Sequence, residues 1–391
     1  MEIRQLNSTE FEDSVSLSQY AFQYKLSTED KEKGQERFKP ERIWGIFENG
    51  ALTAMLTLLP LEVNLQGRTV SMGGIAGVST WPENRRQGLV AKLLSHTLET
   101  MNEAGQTLSF LHPFLIPFYR KFGWEIYCET KNYTIPVSKF PRKIDVKGIV
   151  RRDVREDLKK LEPLYERFAS QYNGTLVRSK DWWEHSVLNE NTHHAVFYSP
   201  EGDAEGYILY RLENRELIIR EFVYLNEASR QALWTFLANH DSMVTGAALK
   251  FVPSDDILPF LLPDPRITQE NHPYFMGRIV NAKAFVEEYS FSGLASSRQL
   301  KLFIEDQHAP WNHGLWEWQV TDQGTAFLEK IEGERSQGDV VLDIGTLTIL
   351  LLGYKRPAEM AKVGRLTGSD TEVQWLEDII PAQKTALFDF F

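Results

Sequence analysis

The chain has 391 residues, of which 42% are hydrophobic and 25% charged, and its formal net charge at pH 7 is −11. This length and composition favour two or three domains with substantial apolar cores. The acidic balance argues against a nucleic-acid-binding protein and favours cationic partners.

Cysteine content and hydrophobic patterning indicate a soluble cytoplasmic protein. Cys128 is the single cysteine, which excludes an internal disulfide framework and fits a reducing compartment. The first residues lack the basic-then-apolar layout of a signal peptide. The apolar runs are far shorter than the ~18 residues of a membrane span.

The first segment predicts three strands and an amphipathic helix. Asn49-Gly50 and Gln66-Gly67 are turn dipeptides between apolar runs, and "GGIAGVST" is typical of a buried strand. A helix is predicted over about residues 84–104 from six residues at helical spacing: Leu89, Leu93, Leu94, Thr97, Leu98 and Met101. "TLSFLHP" predicts another buried strand, and "FLIPFYRKFGW" turns the chain back.

After a Lys- and Pro-rich boundary, the second segment repeats this plan of strands and helix. Residues 83–96 and 227–240 share six identities in 14 positions, which indicates an internal domain repeat. In the second copy Arg85 is replaced by Ser229 and Gly88 by Ala232. We therefore interpret the first copy as active and the second as structural.

The third segment begins near residue 274 with a predicted helix. Three strands ("LKLFIED", "GLWEWQV" and "TAFLEKI") and two helices follow, and the chain ends "LFDFF". This order is typical of an α+β domain.

The turn between the buried strand and the first helix suits an anion. Unpaired N–H groups and the helix dipole favour a phosphate there, and a glycine at position 88 lets the backbone approach it closely. Arg85 and Arg86 add charge-assisted hydrogen bonds. The alternative is a solvated basic first turn.

These motifs resemble the acetyl-coenzyme A loop of the GNAT N-acetyltransferases. Arg85 to Val90 resembles the pattern Arg/Gln-x-x-Gly-x-Gly/Ala, with Val90 in place of the last small residue. "FYRKFGW" resembles the Tyr-Gly-Arg-Phe-Gly-Tyr segment of one branch, the enhanced intracellular survival (Eis) family.

The resemblance extends over the full chain and implies its fold. The expected class is α/β and α+β: tandem GNAT domains, each a mixed, mostly antiparallel sheet flanked by helices, then a sterol carrier protein-like α+β domain. The expected boundaries are an active GNAT domain at 1–145, a degenerate one at 146–284, and the C-terminal domain at 285–391.

The resemblance also implies which residues hold the cofactor. Residues 78–80 would face the pantetheine arm, and the turn with the first helical residues would hold the pyrophosphate. Phe114 and Leu115, which lie five and four residues before Tyr119, would complete the site. Together these residues are Val78, Ser79, Thr80, Arg85, Arg86, Gln87, Gly88, Leu89, Val90, Ala91, Phe114 and Leu115.

Tyr119 is the expected proton donor. A tyrosine with a pKa near 10 is protonated at neutral pH and can give a proton to the departing thiolate. From the residues alone, packing is the favoured interpretation of Tyr119; the family motif favours the catalytic role.

The C-terminal carboxylate of Phe391 is the expected general base, as the resemblance implies. An apolar end predicts inward packing, and desolvation would raise the carboxylate pKa. The alternative is a hydrophobic anchor. Phe390 departs from the acidic penultimate residue of the family, and Asp389 is a candidate to compensate.

Other candidate sites carry less support. His193, His194, His308 and His313 lack a supporting Cys/His set, so we expect no metal site. "YAFQY" at 20–24 lies where GNAT acceptor pockets form, but helix packing is the favoured interpretation.

We therefore predict an acetyl-CoA-dependent N-acetyltransferase acting on a cationic amine such as an aminoglycoside, a polyamine or a lysine. The family resemblance implies a hexamer. Two alternatives stay open: a binding protein whose sterol carrier-like domain holds an apolar ligand, and an acyltransferase with another acyl-CoA specificity.

Overall fold

The computed structural model describes residues 1–188, 192–293 and 295–391, which form three sheets with flanking helices. None of the helices in these ranges is long and apolar enough to cross a membrane.

The first part of the chain contains six strands and four helices. The strands are β1 (Glu2–Gln5), β2 (Ile43–Glu48), β3 (Ala51–Leu65), β4 (Arg68–Thr80), β5 (Leu108–Leu111) and β6 (Glu125–Ile126). The helices are α1 (Phe11–Phe22), α2 (Thr28–Glu36), α3 (Leu89–Glu103) and α4 (Ile116–Arg120).

The described residues in the middle of the chain form eight further strands and four α-helices. The strands are β7 (Glu129–Pro136), β8 (Ile149–Arg152), β9 (His193–Tyr198), β10 (Ala204–Glu213), β11 (Glu216–Tyr224), β12 (Gly246–Pro253), β13 (Thr268–Pro273) and β14 (Met276–Ile279). The helices are α5 (Leu158–Ala169), α6 (Lys180–Trp182), α7 (Glu227–Ala238) and α8 (Leu258–Leu261).

The last part of the chain completes the fold with a five-stranded sheet. Its strands are β15 (Arg298–Glu305), β16 (Gly314–Val320), β17 (Ala326–Ile331), β18 (Val340–Asp343) and β19 (Leu366–Thr367). Its helices are α9 (Ala282–Glu288), α10 (Ile344–Leu352), α11 (Pro357–Lys362) and α12 (Asp370–Ile379).

The predicted hairpins are confirmed by their turn geometry. Asn49 and Gly50 have φ of 51° and 83°, and Gln66 and Gly67 have φ of 52° and 72°. Positive φ at both central positions gives the turn twist that matches two antiparallel strands. These turns fix the register of β2, β3 and β4.

The predicted first helix is confirmed except at its start. The prediction began at about residue 84, whereas α3 begins at Leu89. Arg86 and Gly88 have φ of 64° and 76°, which lies outside the helical region, so the preceding residues form a turn. All six residues that carried the periodicity are buried along α3.

Two strands pair in a different sheet from the rest of the predicted domain that contains them. The first sheet has the order β1-β2-β3-β4-β5-β14-β6, and the second has the order β13-β7-β12-β11-β10-β9-β8. Strand β14, within the predicted second domain, therefore lies in the first sheet, and β7, within the predicted first domain, lies in the second sheet. The two sheets are joined by this exchange.

The internal repeat is visible in the pairing of the strands. In the first sheet β4 and β5 pair in parallel from Met72 with Leu108, and in the second β11 and β12 pair in parallel from Glu216 with Gly246. The sequence offset that aligns residues 83–96 with 227–240 also aligns Met72 with Glu216. The repeat is therefore structural as well as sequential.

Asn173 joins the three parts of the protein. Its side chain accepts a hydrogen bond from the Gln66 backbone at 2.7 Å and donates one to Leu352 O at 2.9 Å. Its backbone pairs with Lys384 and Ala386. The C-terminal tail therefore runs between the domains rather than into solvent.

Candidate active site

The first sheet opens into a cleft beyond the paired part of β4 and β5. The two strands pair only as far as Ile75 and Leu111. Beyond this point Gly77, with φ of 59°, lies in a bulge of β4, because Met55 pairs with Ser79 while Thr57 pairs with Ala76. A cavity of about 600 Å³ lies at the end of β4, beside α3 and Phe114.

The geometry of the turn before α3 is suited to an anion. Gly88 is the N-cap of α3, and no side chain caps the helix. The first N–H groups of α3 therefore lack an internal partner. A Cβ added to Gly88 would meet no atom within 4 Å, so the space above it is open. Backbone donors, the helix dipole and the Arg85 and Arg86 side chains meet at this cavity.

The cavity brings together ten of the twelve predicted cofactor residues. They are Val78, Ser79, Thr80, Arg85, Arg86, Gly88, Leu89, Val90, Ala91 and Phe114. Gln87 and Leu115 are not in its lining. The Gln87 side chain instead donates to the Glu83 carbonyl at 3.2 Å, within the turn itself. Leu115 is exposed at the N-cap of α4.

Four lining residues were missed by the sequence reasoning: Ala21, Phe22, Asn84 and Phe118. Ala21 and Phe22 belong to "YAFQY", whose favoured interpretation was packing. Tyr20, Phe22 and Tyr24 are exposed, while the Tyr20 ring contacts that of Trp81 at 5.3 Å. The segment therefore combines a packing contact with a place in the cavity lining. Phe118 directly precedes Tyr119 in the motif "FYRKFGW". This position was the available sequence signal that Phe118 lies at the site.

The hydroxyl of Thr80 marks a polar position in the cavity wall. Thr80 is buried, and its Oγ1 has no hydrogen-bond partner among the described residues. A buried polar atom without a partner costs free energy that a bound polar group would recover. The residues of this wall therefore fit a polar chain such as pantetheine.

Tyr119 lies in α4 behind the cavity. Its side chain is 2% exposed and makes edge-to-face contacts with Phe114 and Phe118, at ring distances of 5.4 and 5.2 Å. Both phenylalanines line the cavity, whereas Tyr119 does not. Burial raises the pKa of Tyr119 above its usual value, which keeps the phenol protonated.

The chain ends beside the paired part of β4 and β5. The Phe391 ring packs on Phe275 at 4.8 Å and lies 6.3 Å from the ring of Trp182. A Cβ on Gly74 would approach Phe391 Cε2 to 2.9 Å, so the absence of a side chain there makes room for the ring. Gly74 pairs with Phe110, just before the two strands separate.

His112 also lies at the opening of the sheet, and the sequence reasoning did not single it out. It follows β5 directly, and its ring is 4.9 Å from that of Phe390 and 5.4 Å from that of Phe275. Burial lowers the pKa of His112. Its position at the end of a buried strand, in "TLSFLHP", was the available signal.

Asp389 anchors the tail in a buried network. Its carboxylate accepts hydrogen bonds from Arg178 Nε at 2.9 Å and Trp182 Nε1 at 2.8 Å. Arg178 also pairs with Glu221, with Nη2 2.5 Å from Oε1. Tyr274 donates to the Asp389 carbonyl at 2.7 Å. All three charged side chains of this network are buried.

The second sheet repeats the cleft but not the anion site. Helix α7 begins at Glu227, the residue aligned with Glu83, so the residues aligned with the Arg85–Gly88 turn are helical. Asn226 caps α7 by accepting from the Ser229 N–H at 2.9 Å. The helix start is therefore closed by the protein's own side chains.

The predicted histidines are scattered. His193 lies 2.8 Å from Asp153, and the His308 ring lies 4.5 Å from that of Phe122 in a tilted arrangement. In the described ranges, no group of three or more His, Cys, Asp or Glu side chains is arranged to hold a metal ion.

Comparison with protein families identifies three successive regions. Residues 2–127 and 174–279 each match a family described as acetyltransferase (GNAT) domain, and together they exceed half of the chain. Residues 282–388 match a sterol carrier protein domain. The chain is 25% identical over 353 residues to an uncharacterized N-acetyltransferase of Streptomyces avermitilis, covering 84% of this chain and 82% of that protein.

Solved structures share the complete fold. A conserved protein of Enterococcus faecalis superposes with a TM-score of 0.93 at 28% identity, covering 100% of this chain and 99% of the other. Eis1 of Mycobacterium abscessus superposes with a TM-score of 0.82 at 19% identity, with both chains fully covered. The expected order of two GNAT domains and a sterol carrier-like domain is confirmed.

Proposed function

The chain belongs to the GNAT acetyltransferases and is an N-acetyltransferase, and from this premise we propose its reaction in detail. We propose that it transfers acetyl from acetyl-CoA to a primary amine of a cationic acceptor such as an aminoglycoside, a polyamine or a lysine. The observation that carries the proposal is the cleft at the end of β4, with an uncapped helix start at Gly88 and the tail end beside the same strands.

The cofactor would be held by the ten predicted residues that line the cleft. Arg85, Arg86 and the backbone of Gly88 to Ala91 are suited to the pyrophosphate, and Thr80 offers its unpartnered hydroxyl to the pantetheine arm. When bound there, acetyl-CoA supplies an activated acetyl thioester. The protein residues then position this group and move two protons.

Tyr119 would give its phenolic proton to the sulfur that leaves. Its hydroxyl is protonated at neutral pH, and contact of its ring with Phe114, which lines the cavity, supports this role. In this role Phe114 and Phe118 exclude water and orient the phenol.

The terminal carboxylate of Phe391 would accept the proton of the attacking amine. The tail is anchored by the Asp389–Arg178–Glu221 network, and the Phe391 ring is held over Gly74. Asp389 itself is engaged by Arg178, Trp182 and Tyr165, so it serves as the anchor of the tail rather than as a base.

A cationic acceptor agrees with the surroundings of the cleft. Phe22 and Phe114 line the cavity and are 51% and 68% exposed, and Phe390 beside His112 is 57% exposed. Aromatic faces attract ammonium groups, and the net charge of −11 favours the approach of a cation.

An acceptor screen tests this proposal. Purified protein with acetyl-CoA is offered aminoglycosides, polyamines and lysine peptides, and thiol release is measured against matched alcohols. Release that depends on the amine is the expected result. Thiol release with none of the amines, together with co-purified lipid and no effect of acetyl-CoA on the melting temperature, would contradict the proposal and favour an apolar-ligand carrier.

A further inference from the structure

The second GNAT domain contains a cavity of its own. Strands β11 and β12 pair in parallel only as far as Ile219 and Leu249, and β12 then bends at a register shift before Val252. A cavity of about 350 Å³ opens between the two strands beyond that point. This volume falls within the range of small-molecule sites.

The cavity does not suit a second molecule of acetyl-CoA. The start of α7, which lines it, is capped by Asn226, and Glu227 in the first turn pairs with Arg230 at 2.6 Å. A carboxylate and a completed cap at this position disfavour a diphosphate. The ligand must therefore be of another chemical class.

The walls of the cavity are aromatic. Phe168 contacts Tyr172 and Tyr224, with ring distances of 5.8 and 6.0 Å, and Tyr172 contacts Phe388 at 5.8 Å. Phe251, also in the lining, has φ of 56°, a left-handed conformation that a bulky residue adopts only under strain. Such a set of ring faces is suited to an ammonium group.

One end of the cavity carries two carboxylates, of which one is unpaired. Asp255 is paired with Lys384 at 2.6 Å. Asp256 accepts the Leu258 N–H at 2.8 Å but forms no ion pair with any described residue. The Asp256 carboxylate lines the cavity, so it is available to a polar ligand that is not part of the chain.

From this arrangement we propose that the cavity between β11 and β12 binds a small organic cation. Its ammonium group would lie against Asp256, and its apolar body would lie between Tyr172, Tyr224 and Phe388. Four cationic side chains line the cavity. Arg230 and Lys384 are already paired with Glu227 and Asp255, and neither Arg220 nor Lys250 forms an ion pair with Asp256. Phe388 places the ligand against the tail that ends at Phe391. This proposal is independent of the acceptor chemistry of the first domain.

Calorimetry on the full chain tests the charge preference, with 2-(4-bromophenyl)ethylamine as the probe. The neutral alcohol and the carboxylate of the same shape are the comparisons. We expect the amine to bind at least tenfold more tightly than either and Asp256→Asn to remove that preference. Asp322→Asn, an exposed change in the third domain, should leave it intact.

The bromine atom locates the probe independently of any variant. In crystals of the wild-type protein, the anomalous signal is expected between β11 and β12, close to Phe222. A signal confined to the first-domain cleft, tighter binding of the carboxylate, or undiminished binding by a folded Asp256→Asn protein would each overturn the proposal. Retention of the melting shift with acetyl-CoA shows that the variant is folded.

Discussion

The two GNAT domains share one plan and differ at the start of one helix. In the first, Gly88 lets the chain turn through left-handed conformations before α3 begins, and the helix N–H groups are left without a cap. In the second, Ala232 takes the aligned position, the same stretch is helical, and Asn226 closes its end. The open helix start of the first domain therefore depends on a few residues in a non-helical conformation.

A second difference between the domains lies in the short helix that follows β5 in the first domain and β12 in the second. Ile116-Pro117-Phe118-Tyr119 begins α4, and Leu258-Pro259-Phe260-Leu261 forms α8. The tyrosine of the first domain is thus matched by Leu261, which has no proton to give. The second domain therefore lacks both the anion site and the proposed proton donor, while it keeps a cleft.

Replacing Tyr119 by the leucine found at the matching position of the second domain should have the largest effect on kcat. Tyr119→Phe and Tyr119→Leu both remove the hydroxyl, so we expect kcat to fall by about 10²- to 10⁴-fold. Single-turnover kinetics with saturating acetyl-CoA measures this loss. Tyr198→Phe, which removes a buried hydroxyl in the second domain bonded to Asp157, should leave kcat unchanged. An unaltered kcat in Tyr119→Phe would contradict the catalytic role and show that Tyr119 serves packing only.

The pH profile sharpens the same assignment. Burial raises the pKa of Tyr119, and a donor must be protonated, so its activity is present below that pKa and lost above it. We therefore expect wild-type kcat to show no fall from this group below about pH 10, the ordinary pKa of tyrosine. A tyrosine-dependent fall near neutral pH would contradict the assignment.

The next largest effect on kcat is expected from changes to the C-terminal tail. Phe388 of this tail packs in the second domain, and Phe391 packs in the first. Residues added after Phe391 would replace its carboxylate with an amide, and deleting Phe391 would withdraw the carboxylate by up to ~3.5 Å. We expect either change to lower kcat by about 10²-fold or more, while acetyl-CoA still raises the melting temperature.

Phe391→Leu and an N-terminal tag are the matched controls for the tail. Both keep the terminal carboxylate, so we expect a mild effect on kcat, and steady-state kinetics measures it. Full turnover by a protein extended after Phe391 would remove the carboxylate from the mechanism.

A moderate effect is expected on cofactor affinity at Gly88. Gly88→Asp places a charge and a side chain in the open space of the anion site, and we expect acetyl-CoA to bind at least tenfold more weakly, about 1.4 kcal/mol. Gly202→Asp is the matched control, because Gly202 also has positive φ and open space but lies in the second domain. Ala232 is unsuitable because it is buried. Equal weakening in both variants would contradict the assignment of active and structural copies.

The smallest effect tests the closed helix of the second domain. Asn226→Ala removes the cap of α7 and should lower the free energy of unfolding by about 1 kcal/mol. Denaturant unfolding measures this change, and calorimetry should find unaltered acetyl-CoA affinity. A change in that affinity would mean that the second domain contributes to cofactor binding.

Much of the fold was predictable because its causes are local. Asn49-Gly50 and Gln66-Gly67 determine hairpins by their own φ preferences, and the six apolar residues of α3 determine its buried face. The turn at Gly88 was predictable in the same way, because glycine tolerates positive φ. The start of α3 was placed too early because apolar spacing does not report where the backbone leaves the helical region.

The different backbone conformations of the two aligned segments could not be predicted from the residues that they share. Residues 83–88 and 227–232 are similar in sequence, but one forms a turn and the other a helix. The difference depends on Gly88 against Ala232 and on the cap from Asn226, each of which changes the local free energy by about 1 kcal/mol.

The hairpins, the amphipathic helices, the glycine turn and the repeat follow from local patterns in the chain. The exchange of β7 and β14, the anchoring of Asp389 by Arg178, and the position of Phe391 over Gly74 became visible only in the folded protein. These contacts join residues far apart in sequence, and their partners are selected by burial, charge pairing and sheet register, which no local pattern encodes.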